Sequence, residues 1–227
     1  MATEIETKLA FALGQQARVR EQFLAMTHLG NYRLDEPVTN AIEDVYFDTP
    51  ALALLGQDAG LRIRRVNGKE SFTLKIGGGV DEDGTHTREE IEGPALPEML
   101  AYLWDALDTR GLVHQTSAGR KGGATTLAEV LMGWGLQPQY TALNERLTRV
   151  VRSDSGQPLA ALVLDDVTLQ VNGAPAGVLC ELEIEAIAGN ADLLPSLVAS
   201  LRDQFPMALR PETQSKYQQA MALLGRV

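Results

Sequence analysis

Charges recur at every second residue in several separate stretches of this chain, and that repetition limits what it can fold into. Glu4-Ile5-Glu6-Thr7-Lys8, read as a strand, points Glu4, Glu6 and Lys8 to one face and Ile5, Thr7 and Leu9 to the other. Carboxylates two positions apart lie roughly 6 to 7 Å from each other on such a face. Two like charges that close are unfavourable unless a cation lies between them. Leu61-Arg62-Ile63-Arg64, Phe72-Thr73-Leu74-Lys75-Ile76, Arg88-Glu89-Glu90-Ile91-Glu92 and Glu181-Leu182-Glu183-Ile184-Glu185-Ala186 repeat the alternation. One such strand would be an ordinary half-buried strand with its charges in water. The set differs because its faces are nearly pure in sign: basic at Arg62, Arg64 and Lys75, acidic at Glu181, Glu183 and Glu185. One geometry accommodates them all. The sheet closes into a barrel, the charges point into the lumen, and the apolar faces point outward under a layer of helices. A lumen lined with both signs suits a polyanionic, metal-bound ligand.

The 227 residues predict a single domain spanning 1–227. A net charge of −10 argues against nucleic-acid or membrane binding through surface charge, but leaves room for a basic pocket. The single cysteine, Cys180, lies between apolar neighbours and reads as a packing residue. It permits no internal disulfide, which fits a reducing compartment. No apolar run reaches the length of a membrane helix. The opening residues lack a signal peptide's basic-then-apolar form, so a cytoplasmic location is expected.

Along the chain the patterns predict a strand at about 3–12 and a helix from Gln15 to Leu29 ended by Gly30. A strand follows at 45–48, then a short helical turn at 51–55. Strands at 60–66 and 70–76 are joined through Asn67-Gly68, a strong hairpin signal. Gly77-Gly78-Gly79 reads as part of a connection to the strand at 86–92. That run lacks the Gly-Lys-Ser/Thr ending of a phosphate-binding loop. Residues 95–142 read as either a helical insertion or a lid, with helices at 97–107 and 126–134 around a Gly- and Ser-containing stretch. Strands are expected at 143–152, 159–165, 167–171 and 178–187, with a second turn at Asn172-Gly173. Helices at about 191–204 and 212–224 close the chain.

In order and spacing, these segments resemble the CYTH superfamily, the triphosphate tunnel metalloenzymes. Glu4, Glu6 and Lys8 form its Glu-x-Glu-x-Lys signature. Tyr46-Phe47-Asp48-Thr49-Pro50 is similar to its aromatic-Asp-Thr-Pro segment, Leu61-Arg62-Ile63-Arg64 to its basic strand, and Thr73-Leu74-Lys75 to its Thr-x-Lys strand. Arg88-Glu89-Glu90-Ile91-Glu92, Cys180 to Glu185 and Ser215-Lys216-Tyr217 resemble its remaining motifs. The resemblance implies an α+β fold: a closed eight-stranded antiparallel β-barrel, or tunnel, with a charged lumen and surrounding helices. It implies that Lys8, Arg62, Arg64, Lys75, Arg88, Arg146 and Lys216 bind a triphosphate. Glu4, Glu6, Glu183 and Glu185 would then hold Mg2+ or Mn2+, which prefer oxygen ligands.

Glu4, Glu6, Lys8 and Glu183 are the expected catalytic set. Glu90, Glu92 and Glu181 are secondary candidates that either bind metal or hold the arginines. Asp165 is either a lumen or a turn residue. On its strand Arg146 is preferred to Arg149 as the inward arginine. His28 and His114 read as structural, and His86 shares a face with Arg88. The implied activity is metal-dependent hydrolysis of a phosphoanhydride, with inorganic triphosphate before a nucleoside or organic triphosphate. Class IV adenylate cyclase, thiamine triphosphatase and a non-catalytic polyphosphate-binding module are the alternatives. Trp104 and Trp134 are expected to pack the insertion rather than stack on a ligand.

Overall fold

A computed structural model describes residues 2–12, 14–113, 126–187, 189–205 and 209–226. Its strands are β1 (Ala2–Phe11), β2 (His28–Leu29), β3 (Tyr32–Leu34), β4 (Val38–Asp48), β5 (Ala59–Val66), β6 (Lys69–Val80), β7 (Thr85–Gly93), β8 (Gln137–Arg152), β9 (Pro158–Val171), β10 (Ala174–Ala186) and β11 (Leu209–Pro211). The helices are α1 (Gln16–Ala25), α2 (Ala53–Gly56), α3 (Pro97–Asp108), α4 (Leu127–Gly133), α5 (Leu194–Gln204) and α6 (Lys216–Leu223). Strands pair in the order β8-β4-β5-β6-β7-β1-β10-β9, and β9 pairs back onto β8, so eight antiparallel strands close into a barrel. No helix among the described residues is long and apolar enough to cross a membrane.

Strand alternation divides the apolar residues between two clusters outside the barrel. Leu61, Ile63, Phe72, Leu74 and Ile91 meet Leu103 and Leu107 of α3 and Leu127 and Leu131 of α4. Leu9, Leu147, Leu162, Leu182 and Ile184 meet Val19 and Phe23 of α1 and the apolar face of α5. Each fully buried Leu or Phe here contributes about 1.5 to 3 kcal/mol. Trp104 and Trp134 pack edge to face at 5.1 Å against the α3–α4 cluster, away from the lumen. A third cluster closes one end of the lumen. Tyr46, Tyr140, Ala142, Val167, Leu169 and Leu179 line that end, and Tyr217, Ala220 and Met221 of α6 pack onto them. The lumen is therefore not charged throughout, as the alternation alone had suggested.

Several boundaries differ from the sequence reading. The predicted 15–29 helix stops at Ala25, because Met26 is extended and Gly30, at φ 58°, turns β2 into β3 instead of capping a helix. β4 starts seven residues before the predicted 45, at Val38, where pairing with β8 supplies what apolar alternation does not. β8 begins at Gln137, so the last residues of the 95–142 segment are already barrel strand. The two strands predicted at 159–171 are one. Their supposed break at Asp165-Asp166 is held in the sheet by partners on both faces: Arg146 and Lys216 inside, Arg20 and Cys180 outside. The predicted 212–224 helix begins at Lys216, behind a capping box of Ser215 and Gln218. Residues 116–123 and His114 lie outside the described residues.

Gly77 to Gly79 do not connect two strands. They lie inside β6 at a bulge between Ile76 and Gly79. Gly78 has φ 119°, and a Cβ there would lie 1.6 Å from the Thr87 carbonyl oxygen, whereas Gly79 has open space. Gly78→Ala should therefore lose about 3 kcal/mol in denaturant unfolding, while Gly79→Ala should stay within about 0.5 kcal/mol. Equal stability of the two variants would contradict the bulge geometry.

Candidate functional site

Barrel closure places inward residues of seven of the eight strands, all but β9, around one cavity of about 180 Å3. Arg62, Arg64, Lys75, Arg88, Arg146 and Lys216 line it, together with Lys8. Glu4, Glu90, Glu92, Glu183 and Glu185 line it from the acidic side. Glu6, Asp165 and Glu181 sit just behind that wall, each no more than 1 % exposed. Arg149, the other arginine of its strand, faces outward and donates to the carbonyls of Asp35 and Phe23.

The carboxylates fall into two groups that differ in how fully the protein's cations pair them. In the first, Asp165, Glu181 and Glu183 have oxygens within 4.8 Å of one another, and cations fill the space between them. Lys8 contacts Glu183 and lies 3.5 Å from Glu181. Lys216 lies 2.5 Å from Asp165, 2.8 Å from Glu181 and 3.5 Å from Glu183. Arg146 grips Asp165 through two bonds of 2.7 and 2.6 Å and reaches Glu183 at 3.1 Å. Burial alone would raise the Glu183 carboxyl, but Lys216, Lys8 and Arg146 outweigh it and hold it well below the usual carboxylate range. Asp165 is lowered against the same burial by Lys216 and Arg146. Both lysines are held above the ordinary ammonium range: burial opposes their charge, and Asp165, Glu181 and Glu183 restore it for Lys216, Glu181, Glu183 and Glu6 for Lys8. They are fixed cations at neutral pH and cannot act as bases.

Glu4, Glu6 and Glu185 form the second group, again within 4.8 Å. The register explains it: Glu4 and Glu6 share a face of β1, and Glu185 lies directly across from Glu6 on β10. Glu4 Oε2 and both Glu6 oxygens are buried without a hydrogen-bond partner. Lys8 stands 3.3 Å from Glu6 Oε1, an ion pair lacking hydrogen-bond geometry. Burial, then the charge of Glu183, pushes the Glu185 carboxyl up to about 7. Lys75 donates to Glu4 Oε1 at 2.6 Å, and Arg146 lies 3.7 Å from Glu185. An acceptor-only set of oxygens, three of them left without a donor, has the chemistry of a hard-cation site. The two groups therefore separate Glu183 from the other three expected metal ligands.

Sequence reasoning missed several residues here. Asp44, 2 % exposed, receives two 2.8 Å bonds from Arg64 and lies 3.5 Å from Arg62. Its only signal was its place two residues before Tyr46 on the inward face. His86 Nε2 donates to the Glu212 carbonyl at 2.9 Å, and its Nδ1 receives Arg88 Nη2 at 2.5 Å. Burial, with the charges of Arg88 and Lys8, lowers His86 to about 4 against the backbone bond to Glu212. It is thus a neutral acceptor that aims Arg88. The His28 side chain bonds its neighbour Thr27, and the residue is not among those lining the cavity. Asp48 is structural: its carboxylate accepts from Leu54 N, Leu55 N and the Tyr217 hydroxyl, tying α2 to α6. Cys180 is only half-buried and donates to Asp166; burial and that bond push its thiol up to about 12.

Asp165→Asn would leave Lys216 and Arg146 short of a buried counter-charge. It should cost about 3 to 5 kcal/mol at pH 7. Because the folded-state pKa lies below the unfolded value of about 3.9, the contribution is complete above that pH and fades as the pH falls. Urea unfolding of both proteins from pH 7 to pH 3 should show a constant gap that narrows only below about pH 4. A gap that closes nearer neutrality would rule out this pairing as the source.

Comparison with known proteins agrees with the geometry. Residues 2–219 match the CYTH domain. The thiamine-triphosphatase of Macaca fascicularis is 32 % identical over 143 residues, which are 63 % of this chain and 52 % of that protein, so the match spans about half the relative's length. A Hippeastrum protein assigned as an adenylyl cyclase and found to have a dominant triphosphatase activity superposes with a TM-score of 0.57 at 20 % identity, covering 99 % of this chain and 97 % of its own. A Bacillus halodurans protein assigned as an adenylate cyclase gives 0.58 at 18 % identity, covering 96 % and 98 %. At such identities the two structures speak for the fold alone. With the domain match running almost end to end over a closed barrel of charged lumen, the chain belongs to the CYTH domain family.

Proposed function

We propose that this chain is a divalent-metal-dependent triphosphatase that hydrolyses a terminal phosphoanhydride, with inorganic triphosphate as its preferred substrate. The observation that carries this reading is the pairing, in one cavity, of a basic wall with buried carboxylate oxygens that have no partner. Charge bookkeeping supports the metal requirement. Lys8, Arg62, Arg64, Lys75, Arg88, Arg146 and Lys216 face Glu4, Glu6, Asp44, Glu90, Glu92, Asp165, Glu181, Glu183 and Glu185. The carboxylates outnumber the cations, so a triphosphate of about four negative charges needs added positive charge to enter. Glu4, Glu6 and Glu185 are the residues we assign to Mg2+ or Mn2+. An ion held there would neutralise phosphoryl oxygens and lower the pKa of bound water.

The chain's own residues supply the rest. Arg62, Arg64 and Arg88 grip phosphoryl oxygens, Asp44 and His86 aim those guanidinium groups, and Lys75 adds a point charge. Lys8, Lys216 and Arg146 are bound up with Glu183, Glu181 and Asp165. In this reading Glu183 fixes the position of three cations, and its role as a direct metal ligand passes to the other group. Glu90 and Glu92 hold the basic side of the mouth. All of this sits on one barrel, so residues 1–227 act as a single domain, with α3 and α4 as its helical addition.

A second reading, thiamine triphosphate, is favoured by the identity to the macaque enzyme. It needs an aromatic surface for the organic group. Tyr46 and Tyr217 reach the cavity, but they are stacked on each other at 5.5 Å. Phosphate release from tripolyphosphate, thiamine triphosphate and ATP, with Mg2+, Mn2+ or excess chelator, separates the readings. We expect the highest kcat/KM for tripolyphosphate and none in chelator. Formation of cyclic AMP and pyrophosphate from ATP would move the assignment to a cyclase, and tight binding without turnover would make the chain a polyphosphate-binding module.

The Glu185 carboxyl at about 7 gives a second test. A proton held there below neutrality must leave when a cation binds. Calorimetry of Mn2+ binding in buffers of different ionisation enthalpy should show about one proton released at pH 6 and close to none at pH 8.5. Glu185→Gln should abolish the release and weaken metal binding. Unchanged release in that variant would place the ion elsewhere.

A further inference from the structure

The partnerless polar atoms around this lumen come from several strands, the Tyr140 hydroxyl and Asn144 Oδ1 of β8 among them. Those on β1 are acceptors, the oxygens of Glu4 and Glu6. Those on β5 and β6 include donors: Arg62 Nε and the Thr73 hydroxyl are buried and without a hydrogen-bond partner. Arg62 and Thr73 are direct cross-strand partners, so they project from adjacent strands on the same inward face. Both line the cavity. Thr73 is 1 % exposed, and its chain neighbours Phe72 and Leu74 are locked into the outer cluster beneath α3 and α4. Alternation therefore fixes Thr73 inward, and the barrel wall cannot turn its hydroxyl elsewhere. Lys75 follows two residues on, on the same face.

We propose that Thr73 is a further substrate-binding residue: its hydroxyl donates to a phosphoryl oxygen of the bound triphosphate, forming with Arg62 Nε a subsite for one phosphoryl group. This rests on the triphosphatase reading above and deepens it. A buried hydroxyl left unpaired is unfavourable in the ligand-free protein, and a charged acceptor relieves that cost. A cation attracts any anion over a distance, whereas a neutral hydroxyl acts only at hydrogen-bond range and along its bond direction. Thr73 would thus help to register the chain of phosphates, while the arginines and lysines supply the attraction.

Valine replaces the hydroxyl with a methyl group, so Thr73→Val tests this most sharply. Removing an unpaired buried hydroxyl should leave the ligand-free melting temperature equal to or above that of the wild type. The same change should raise the KM for tripolyphosphate about tenfold or more, as expected for a lost bond to a charged group, with a smaller effect on kcat. It should also reduce the melting-temperature rise produced by imidotriphosphate, a readout independent of turnover. Thr73→Ser, which keeps the hydroxyl, should restore KM to within about threefold. Thr73→Ala removes the same group without adding a methyl and should match the valine variant, which covers the case of poor folding by valine. A valine or alanine variant that binds both ligands as the wild type does would overturn the Thr73 assignment alone. A wild-type protein that binds neither ligand would overturn the triphosphatase reading and this inference with it.

Discussion

The buried contact among Lys216, Asp165, Glu183, Lys8 and Arg146 is the interaction on which the rest of this barrel depends. A lumen of fixed charge is expensive, because taking ions out of water costs several kcal/mol each even after relaxation. The chain offsets that cost by drawing opposite charges from five different elements. Lys8 comes from β1, Arg146 from β8, Asp165 from β9 and Glu183 from β10, while Lys216 enters from the first turn of α6. None of these pairs is local in sequence. Arg146–Asp165 needs only the β8–β9 pairing and Lys8–Glu183 only the β1–β10 pairing, but the whole network assembles when the barrel has closed and α6 has docked, so closure completes the charge neutralisation. The direction of every shift agrees: the acids are held below their usual range and the lysines above theirs.

This network also explains why α6 sits where it does. Its Tyr217 stacks on Tyr46 and bonds Asp48, its Ala220 and Met221 fill the apolar end of the lumen, and Lys216, one residue earlier, is carried into the acidic group. A helix that only covered the barrel end would not need the lysine, and a lysine on a loop would not be held to 8 % exposure. The capping box at Ser215 and Gln218 sets the point where the chain turns from loop to helix, and so sets the reach of Lys216.

Most of this was legible in the sequence because strand alternation is a two-residue rule. It placed Arg62, Arg64, Lys75, Glu181, Glu183 and Glu185 on inward faces and their aliphatic neighbours outside, and it separated Arg146 from Arg149. It could not say which charges would meet across the barrel, because that depends on register and closure. Glu183 therefore looked like one of three mutually repelling glutamates, although Lys8, Lys216 and Arg146 surround it. Asp165-Asp166 looked like a turn because two adjacent acids are poor strand residues until partners exist on both faces. Asp44 and His86 lay on inward faces by the same rule, but their roles in holding arginines depend on cross-strand and side-chain contacts that alternation does not give. The apolar end was hidden for the same reason: Tyr46, Tyr140 and Tyr217 come from three distant segments and become a plug only when stacked.

The cavity is thus neutralised on one side and left incomplete on the other. Around Asp165 every carboxylate has a cation, and the group needs nothing further. Around Glu4, Glu6 and Glu185 the protein's cations satisfy only part of the set: Lys8 stands 3.3 Å from Glu6, Arg146 3.7 Å from Glu185, and Lys75 2.6 Å from one Glu4 oxygen, while Glu4 Oε2 and both Glu6 oxygens keep no hydrogen-bond partner. In the reading proposed here, a cation among those oxygens would share Glu4 with Lys75 and leave that ammonium freer to meet a phosphoryl oxygen. A phosphate arriving near Lys75 would in turn strengthen the cation's hold by adding negative charge beside it. Each ligand lowers the cost of binding the other, and thermodynamic linkage requires the coupling to be equal in both directions. The meeting of the basic pair β5 and β6 with the acidic pair β1 and β10 around one lumen is what gives it this reciprocity, since a purely basic lumen would bind the polyanion without needing the metal, and a purely acidic one would bind the metal without holding the substrate.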